Sequence, residues 1–194
     1  MLQITKSKKE QEILNVYGVN NIVVPEKMIS WLRSDHAGET GAVWIYKGAN
    51  LAFWSKSIQK MALEHLPTEQ NHLIVMEHLL PTTKQSKLIS VWKVMGFGLG
   101  FFSALFGYSA FCITINAVET FVESHYMEQI NKLKKMGSNQ NLLNILKKCC
   151  EEEVHHQQDA RSRIKDSSAG VFKKLWTNII QTGSEFAVKV SSRV

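Results

Sequence analysis

Proline and cysteine are scarce in this chain of 194 residues, with three of each. So few prolines leave long stretches free to be helical, because each proline removes a backbone donor and breaks or kinks a helix. The cysteines, Cys112 and the adjacent Cys149 and Cys150, are odd in number and do not read as a disulfide framework. A reducing compartment follows as the expectation. The first 25 residues carry Lys6, Lys8, Lys9 and Glu10 and lack the continuous apolar core and small-residue cleavage site of a secretory signal. The mature chain is therefore expected to start here, inside the cell. No low-complexity tract and no second domain is evident, which predicts an N-terminal extension over residues 1–25 and one domain over residues 26–194. The formal charge of +6 and pI near 9.2 suggest an anionic partner, either nucleic acid or an acidic membrane surface. Aromatic and basic residues are not interleaved as on a nucleic-acid platform, which disfavours the first.

Formal charge is missing altogether from Val94 to Val118, 25 residues that would span a bilayer as one straight helix. The glycines at 96, 98, 100 and 107 argue against that and divide the run. The expected products are an apolar helix from about Lys87 to Phe106, a turn near Gly107, and a helix from about Ser109 to Met136. The apolar helix is either a buried crossover or a surface laid onto membrane.

The remaining punctuation predicts three more long helices and a tail. Val24-Pro25-Glu26 opens a helix to about Trp54, with Ile29, Leu32, His36, Glu39, Val43 and Tyr46 on its inner side. Gly38 and Gly41 flank Glu39, and their helical cost calls for close approach of another helix or room for a metal site. A second helix runs from about Ser57 to Leu80, ended by Pro81, with Ile58, Met61, His65, Glu69 and His72 inward and a kink or break at Pro67. After Gly137-Ser138-Asn139, another runs from about Asn141 to Ile164, with Leu142, Ile145, Leu146, Glu152, His155 and Asp159 inward. Past the Ser167-Ser168-Ala169-Gly170 linker, Val171 to Val190 reads as a closing helix pair or a membrane-facing tail, with Phe172, Leu175, Trp176 and Phe186 among its apolar residues.

Two of these helices carry Glu-x-x-His: Glu69 with His72, and Glu152 with His155. Residues three apart share a helix face about one turn apart, so the carboxylate and imidazole reach one metal ion together. Taken alone, each pair reads more simply as a solvated helix face. Glu39 and Glu119 differ, because they sit among alanine, glycine, valine and isoleucine, where an unpaired acid is expensive. One Glu from each of two helices plus Glu-x-x-His from each of two others is the recipe for a carboxylate-bridged two-iron site in a four-helix bundle. Four carboxylates balance two ferrous ions, whereas without cations they would repel one another. Glu153 and His156 form a second Glu-x-x-His shifted by one residue; only one register faces the core, and Leu142, Ile145 and Leu146 favour Glu152 and His155. Of the other candidates, His36 is a core or supporting residue before it is a ligand, Asp35 either orients a histidine or is exposed, and Glu123 is an alternative ligand or hydrogen-bond acceptor.

The same residues resemble a known family, the demethoxyubiquinone hydroxylases of ubiquinone biosynthesis. The resemblance runs from about Trp31 to Asp159, through Leu32-Arg33-Ser34-Asp35-His36-Ala37-Gly38-Glu39, Glu69-Gln70-Asn71-His72, Gly96-Phe97-Gly98-Leu99-Gly100, Ala117-Val118-Glu119, His125-Tyr126 and Glu151-Glu152-Glu153-Val154-His155-His156. It implies an all-α, ferritin-like four-helix bundle with an added apolar helix and a C-terminal amphipathic segment. It implies iron ligands at Glu39, Glu69, His72, Glu119, Glu152 and His155, and puts His125 and Tyr126 beside the quinone path, where they bind the ring or pass electrons. The implied activity is a di-iron monooxygenase using dioxygen to hydroxylate a polyprenyl methoxy-benzoquinol. The implied partners are the quinol, an external electron donor, and a second copy or other proteins of ubiquinone biosynthesis. The implied location is peripheral, on the cytoplasmic face of the cell membrane or the matrix face of the inner mitochondrial membrane. Thr120 and Gln157 stand where the family commonly has acids. A ferritin-type iron store and a di-iron hydroxylase acting on transfer RNA are the alternatives.

Overall fold

The computed structural model describes residues 7–19, 22–137, 139–164 and 170–194, the side chains of Val171 and Phe172 excepted. Lys6, Ser138, the linker residues 167–169 and the Phe172 side chain lie outside the described residues. Among those described there are seven α-helices and no strand: α1 (Lys8–Val16), α2 (Ile29–Ala49), α3 (Lys56–Leu79), α4 (Ile89–Leu105), α5 (Tyr108–Met136), α6 (Gln140–Ser162) and α7 (Gly170–Ser191).

Local chemistry sets the boundaries. A 3-10 turn at Glu26–Met28, just after Pro25, feeds α2. That helix stops at Ala49 rather than near Trp54, because Ser55 accepts from the Ile58 amide and starts α3, leaving 50–54 as the connection. Helix α3 is continuous through Pro67, so the expected break is absent. Pro67 and Leu63, whose carbonyl loses its partner, are both exposed, and water can satisfy the freed acceptor. Gly107, at φ 98°, turns the chain between α4 and α5, and Gly137, at φ 59°, caps α5 in the left-handed region where glycine carries no Cβ penalty. The C-terminal segment is one helix, not a pair.

Helices α2, α3, α5 and α6 form the bundle, and its apolar core is split in two. One cluster holds Leu32 of α2, Val75 and Met76 of α3, Tyr126 and Ile130 of α5, and Leu142 and Leu146 of α6, together with Leu14 and Tyr17 of the N-terminal segment. The other holds Tyr46 of α2, Ile58 and Met61 of α3, Phe111 and Ile115 of α5, and Ala160 of α6. Each helix passes from one cluster to the other, α2 and α6 in one sense, α3 and α5 in the opposite sense. Helix α4 is the crossover between the parallel α3 and α5. It lies along α2 with backbone against backbone: a Cβ on Gly96 would stand 2.4 Å from the Gly41 carbonyl oxygen, one on Gly100 1.9 Å from that of Ile45, and one on Gly48 2.2 Å from that of Phe97. The opposite face of α4 is exposed at Val94, Phe102 and Leu105, as is Phe106 just past its end. No helix among the described residues is long and apolar enough to cross a membrane.

Candidate metal centre

Between the two apolar clusters each bundle helix carries its acid, and all of these acids are buried: Glu39, Glu69, Glu119 and Glu153. With His72 and His156 they make two overlapping groups, Glu39, Glu69, His72 and Glu153, and Glu69, Glu119, Glu153 and His156. Within each group one ligand atom per residue lies within 4.8 Å of every other. Glu69 and Glu153 belong to both, so these two carboxylates would be shared if each group held a cation. Six of the side chains the recipe calls for are thus supplied by four helices, one from α2, two from α3, one from α5 and two from α6.

The register on α6 is the correction. Glu152 and His155 were expected inward; the structure instead buries Glu153 and His156, exposes His155, and leaves Glu152 half-buried at the rim. At about 3.6 residues per turn, two turns beyond Leu146 and three beyond Leu142 fall nearest to Glu153, whereas two beyond Ile145 fall at Glu152, so these three residues leave the register divided. Cys149 and Cys150, both buried, carry the apolar stripe into the register of Glu153. Free cysteine packs as a small apolar residue, and that signal fixes the face. Glu152 does not join either group; its Oε2 accepts from His72 Nε2 at 2.7 Å and from the Tyr17 hydroxyl.

The geometry suits cations better than hydrogen bonds. One oxygen on each of Glu39, Glu119 and Glu153, and both on Glu69, are buried without a donor. His156 Nδ1 stands 2.7 Å from Glu69 Oε1, and neither atom makes an aligned hydrogen bond. His72 Nδ1 lies 2.8 Å from Glu153 Oε1 and 3.6 Å from Glu39 Oε2. Burial pushes Glu39 up to about 7. It pushes Glu119 well above the carboxylate range, helped by Glu153 and Glu69. Glu153 goes the other way, because His72 and His156 outweigh its burial and hold it at about 2. His156 is raised to about 11 by Glu153 and Glu69 against the opposing effect of burial. The metal-free cluster thus relies on protons to balance charge that two divalent cations would balance directly.

A surrounding layer holds these groups. Tyr126 donates to Glu39 Oε1 at 2.5 Å. Tyr46 donates to Glu119 Oε1 at 3.2 Å and also meets His65 Nδ1 at 3.0 Å. Asp35 is buried, and its Oδ1 accepts from Gln129 at 2.7 Å and faces His125 Nε2 at 3.0 Å. His36 is buried but outside both groups, and burial followed by Lys93 lowers it to about 4. Glu123 is likewise outside them and accepts from Gln157 at 3.0 Å; Gln157 also donates to Thr120 at 3.0 Å. The two positions where acids were expected therefore pair with each other.

A cavity of about 500 Å³ opens beside the cluster. Glu39, Glu119, Glu153, His125 and Tyr126 line one part, and Ile45, Trp92, Leu99, Phe102, Val118, Ile179 and Ile180 line the rest. Gly38 and Gly41 border it, and a Cβ on either would meet nothing within 4 Å, so these two glycines leave room rather than admit a helix.

Such a bundle, with paired Glu-x-x-His helices and two further acids around one buried point, is of the ferritin-like carboxylate class. The chain belongs to the family described as "Ubiquinone biosynthesis protein COQ7", whose model matches residues 26–191. It is 30% identical over 171 residues, 84% of this chain and 76% of the relative, to a protein of Dictyostelium discoideum named NADPH-dependent 3-demethoxyubiquinone 3-hydroxylase, mitochondrial. A human protein of the same name is 30% identical over 167 residues, covering 84% and 76% of the two chains. A protein of Rhodospirillum rubrum named 3-demethoxyubiquinol 3-hydroxylase is 30% identical over 167 residues, covering 84% and 77%.

Proposed function

We propose that this chain is a monooxygenase that hydroxylates the ring of a polyprenyl methoxy-benzoquinol, with two iron ions held by Glu39, Glu69, His72, Glu119, Glu153 and His156. The observation that carries this reading is the adjacency of the buried acid–histidine cluster and an apolar-walled cavity within the size range of small-molecule sites. The balanced reaction is insertion of one oxygen atom of O2 into a ring C–H bond; two electrons and two protons convert the other atom to water. The iron pair, when bound, supplies redox chemistry and open coordination positions for dioxygen.

The protein's residues supply the rest. His125, fixed by Asp35 and within 3.3 Å of the Ser34 hydroxyl, faces the cavity and is placed to hydrogen-bond a ring oxygen. Tyr126 fixes Glu39 from the same wall. Trp92, Leu99, Phe102 and Ile179 offer an apolar wall to the prenyl chain. Relatives bear "NADPH-dependent" in their names, which supports a nicotinamide as the external reductant. The exposed apolar residues of α4, with Phe53 and Trp54, and the net charge of +6 support a peripheral seat on an anionic membrane, cytoplasmic or mitochondrial matrix in orientation.

The test is lipid extraction from a strain lacking this chain. The methoxy-quinone short of one hydroxyl should accumulate, and should be cleared by the wild-type chain but not by Glu69→Ala. A complementing Glu69→Ala chain, or a hollow iron-filled shell in light scattering without quinol turnover, overturns the reading.

A further inference from the structure

The family match begins at residue 26, yet a residue well before it reaches the cluster. Helix α1 is closed at its start by a reciprocal capping box between Ser7 and Glu10. It ends in a tight reversal, with Gly18 at φ 70°, the Gly18 amide donating to Asn15 at 3.1 Å and the Val19 amide to Leu14 at 2.8 Å. Ile13, Leu14, Tyr17 and Val19 are all buried in the cluster shared with α3 and α6. Lys148 of α6 fastens the end of the segment, with Nζ donating to the Val16 carbonyl at 3.0 Å and standing 4.5 Å from the centre of the Tyr17 ring.

That anchoring puts the Tyr17 ring edge-on to His72, with centroids 5.9 Å apart, and its hydroxyl on Glu152 Oε2. The same oxygen takes His72 Nε2 at 2.7 Å. His72 therefore turns one ring nitrogen outward to a carboxylate held by Tyr17 and the other inward to Glu39 and Glu153. A carboxylate behind a ligating histidine fixes its tautomer and ring orientation.

We propose that residues 7–19 form a latch on the metal centre, in which Tyr17, a positioning residue acting through Glu152, holds His72 in its metal-presenting orientation and slows the loss of the bound ion. The inference rests on the reading of the cluster as an iron site.

The full-length chain, loaded with ferrous iron, tests it by release to a chromogenic ferrous chelator. Tyr17→Phe, which keeps the ring and loses only the hydroxyl, should release iron about tenfold faster, in the range seen when partners of ligating histidines are removed. Mössbauer spectra should show one of two iron environments altered. Glu152→Ala should also speed release, and adding Tyr17→Phe to it should change the rate no further, since the hydroxyl acts only through that carboxylate. Two rate effects that multiply independently overturn the latch. So does a Tyr17→Phe rate change that merely tracks a lowered melting temperature of the metal-free chain. If the wild-type chain loads iron and Tyr17→Phe releases it at the wild-type rate, the latch alone fails. A wild-type chain that takes up no iron defeats the iron-site reading as well.

Discussion

His65 lies flat against His156, with ring centroids 4.2 Å apart and planes 8° from parallel. Its edges are also engaged: Nε2 is 2.9 Å from Asp159 Oδ2, and Nδ1 is 3.0 Å from the hydroxyl of Tyr46, which donates to Glu119. Burial, followed by His156, lowers His65 to about 4, so at physiological pH its one N–H serves Asp159 through Nε2 and its Nδ1 competes with Glu119 for the single Tyr46 proton. One side chain outside the cluster thus supports a residue in each of two cluster helices, α5 and α6.

Replacing His65 should separate its two roles. His65→Phe keeps a flat ring against His156 and loses both edge contacts; the melting temperature should stay within a few degrees while iron affinity falls about tenfold. His65→Ala removes the ring too and should lower both. Calorimetry and chelator competition on the same preparations distinguish the outcomes, and unchanged affinity in both variants would deny the support.

The α6 register makes a sharper demand. Glu153→Ala and His156→Ala should each reduce iron per chain, and Glu153→Ala should lose more because Glu153 belongs to both groups. His155→Ala, at an exposed position, should bind iron as the wild type does. Metal analysis after gel filtration reads this directly.

How far the chain could be read in advance differs from helix to helix. Gly107, Gly137 and Pro81 mark ends by mechanisms local to the backbone, so α3, α4 and α5 fall within two residues of their expected bounds. Glu39 and Glu119 stood out because an acid among small apolar residues has no inexpensive solution except a partner. The choice between Glu152 and Glu153 turned on rotational drift along α6, to which the two buried cysteines were the available guide. Tyr17 was out of reach: its partner Glu152 lies 135 positions away, and tertiary packing brings them together.

Stability of the metal-free chain should fall as pH rises above neutrality. Glu39 is raised to about 7 from its ordinary 4.5, and His156 to about 11 from 6.5. In both cases the folded state holds its proton more tightly than the unfolded state, so stability is fully present below the ordinary value and is lost as pH climbs through the raised one. Glu153, held at about 2, acts oppositely only below its ordinary 4.5. His36 and His65, lowered to about 4 from their ordinary 6.5, gain stability as pH rises towards 6.5, so the metal-free melting temperature should decline from about pH 7 to pH 9. Cations displace these protons, so the gap between iron-loaded and metal-free melting temperatures should widen over the same range. A constant gap would contradict the proton-for-metal exchange.

Gly100→Ala tests the backbone contact between α2 and α4. The added methyl would meet the Ile45 carbonyl at 1.9 Å, and rigid backbone must move to admit it. The expected cost is about 1–3 kcal/mol, or roughly 2–12 °C in melting temperature for a chain of this size. Gly38→Ala, with nothing within 4 Å of the new methyl, should leave the melting temperature unchanged or higher while narrowing the cavity.

On the proposed reading of the cluster as a two-iron site, sharing Glu69 and Glu153 between the two groups gives its six ligands unequal weight. Loss of either shared acid disables both positions together. Loss of Glu39 or His72 touches one position alone, and loss of Glu119 or His156 touches the other. A single-ion protein is therefore reachable only from the unshared ligands, and which of the two it keeps is decided by the helix chosen for the change.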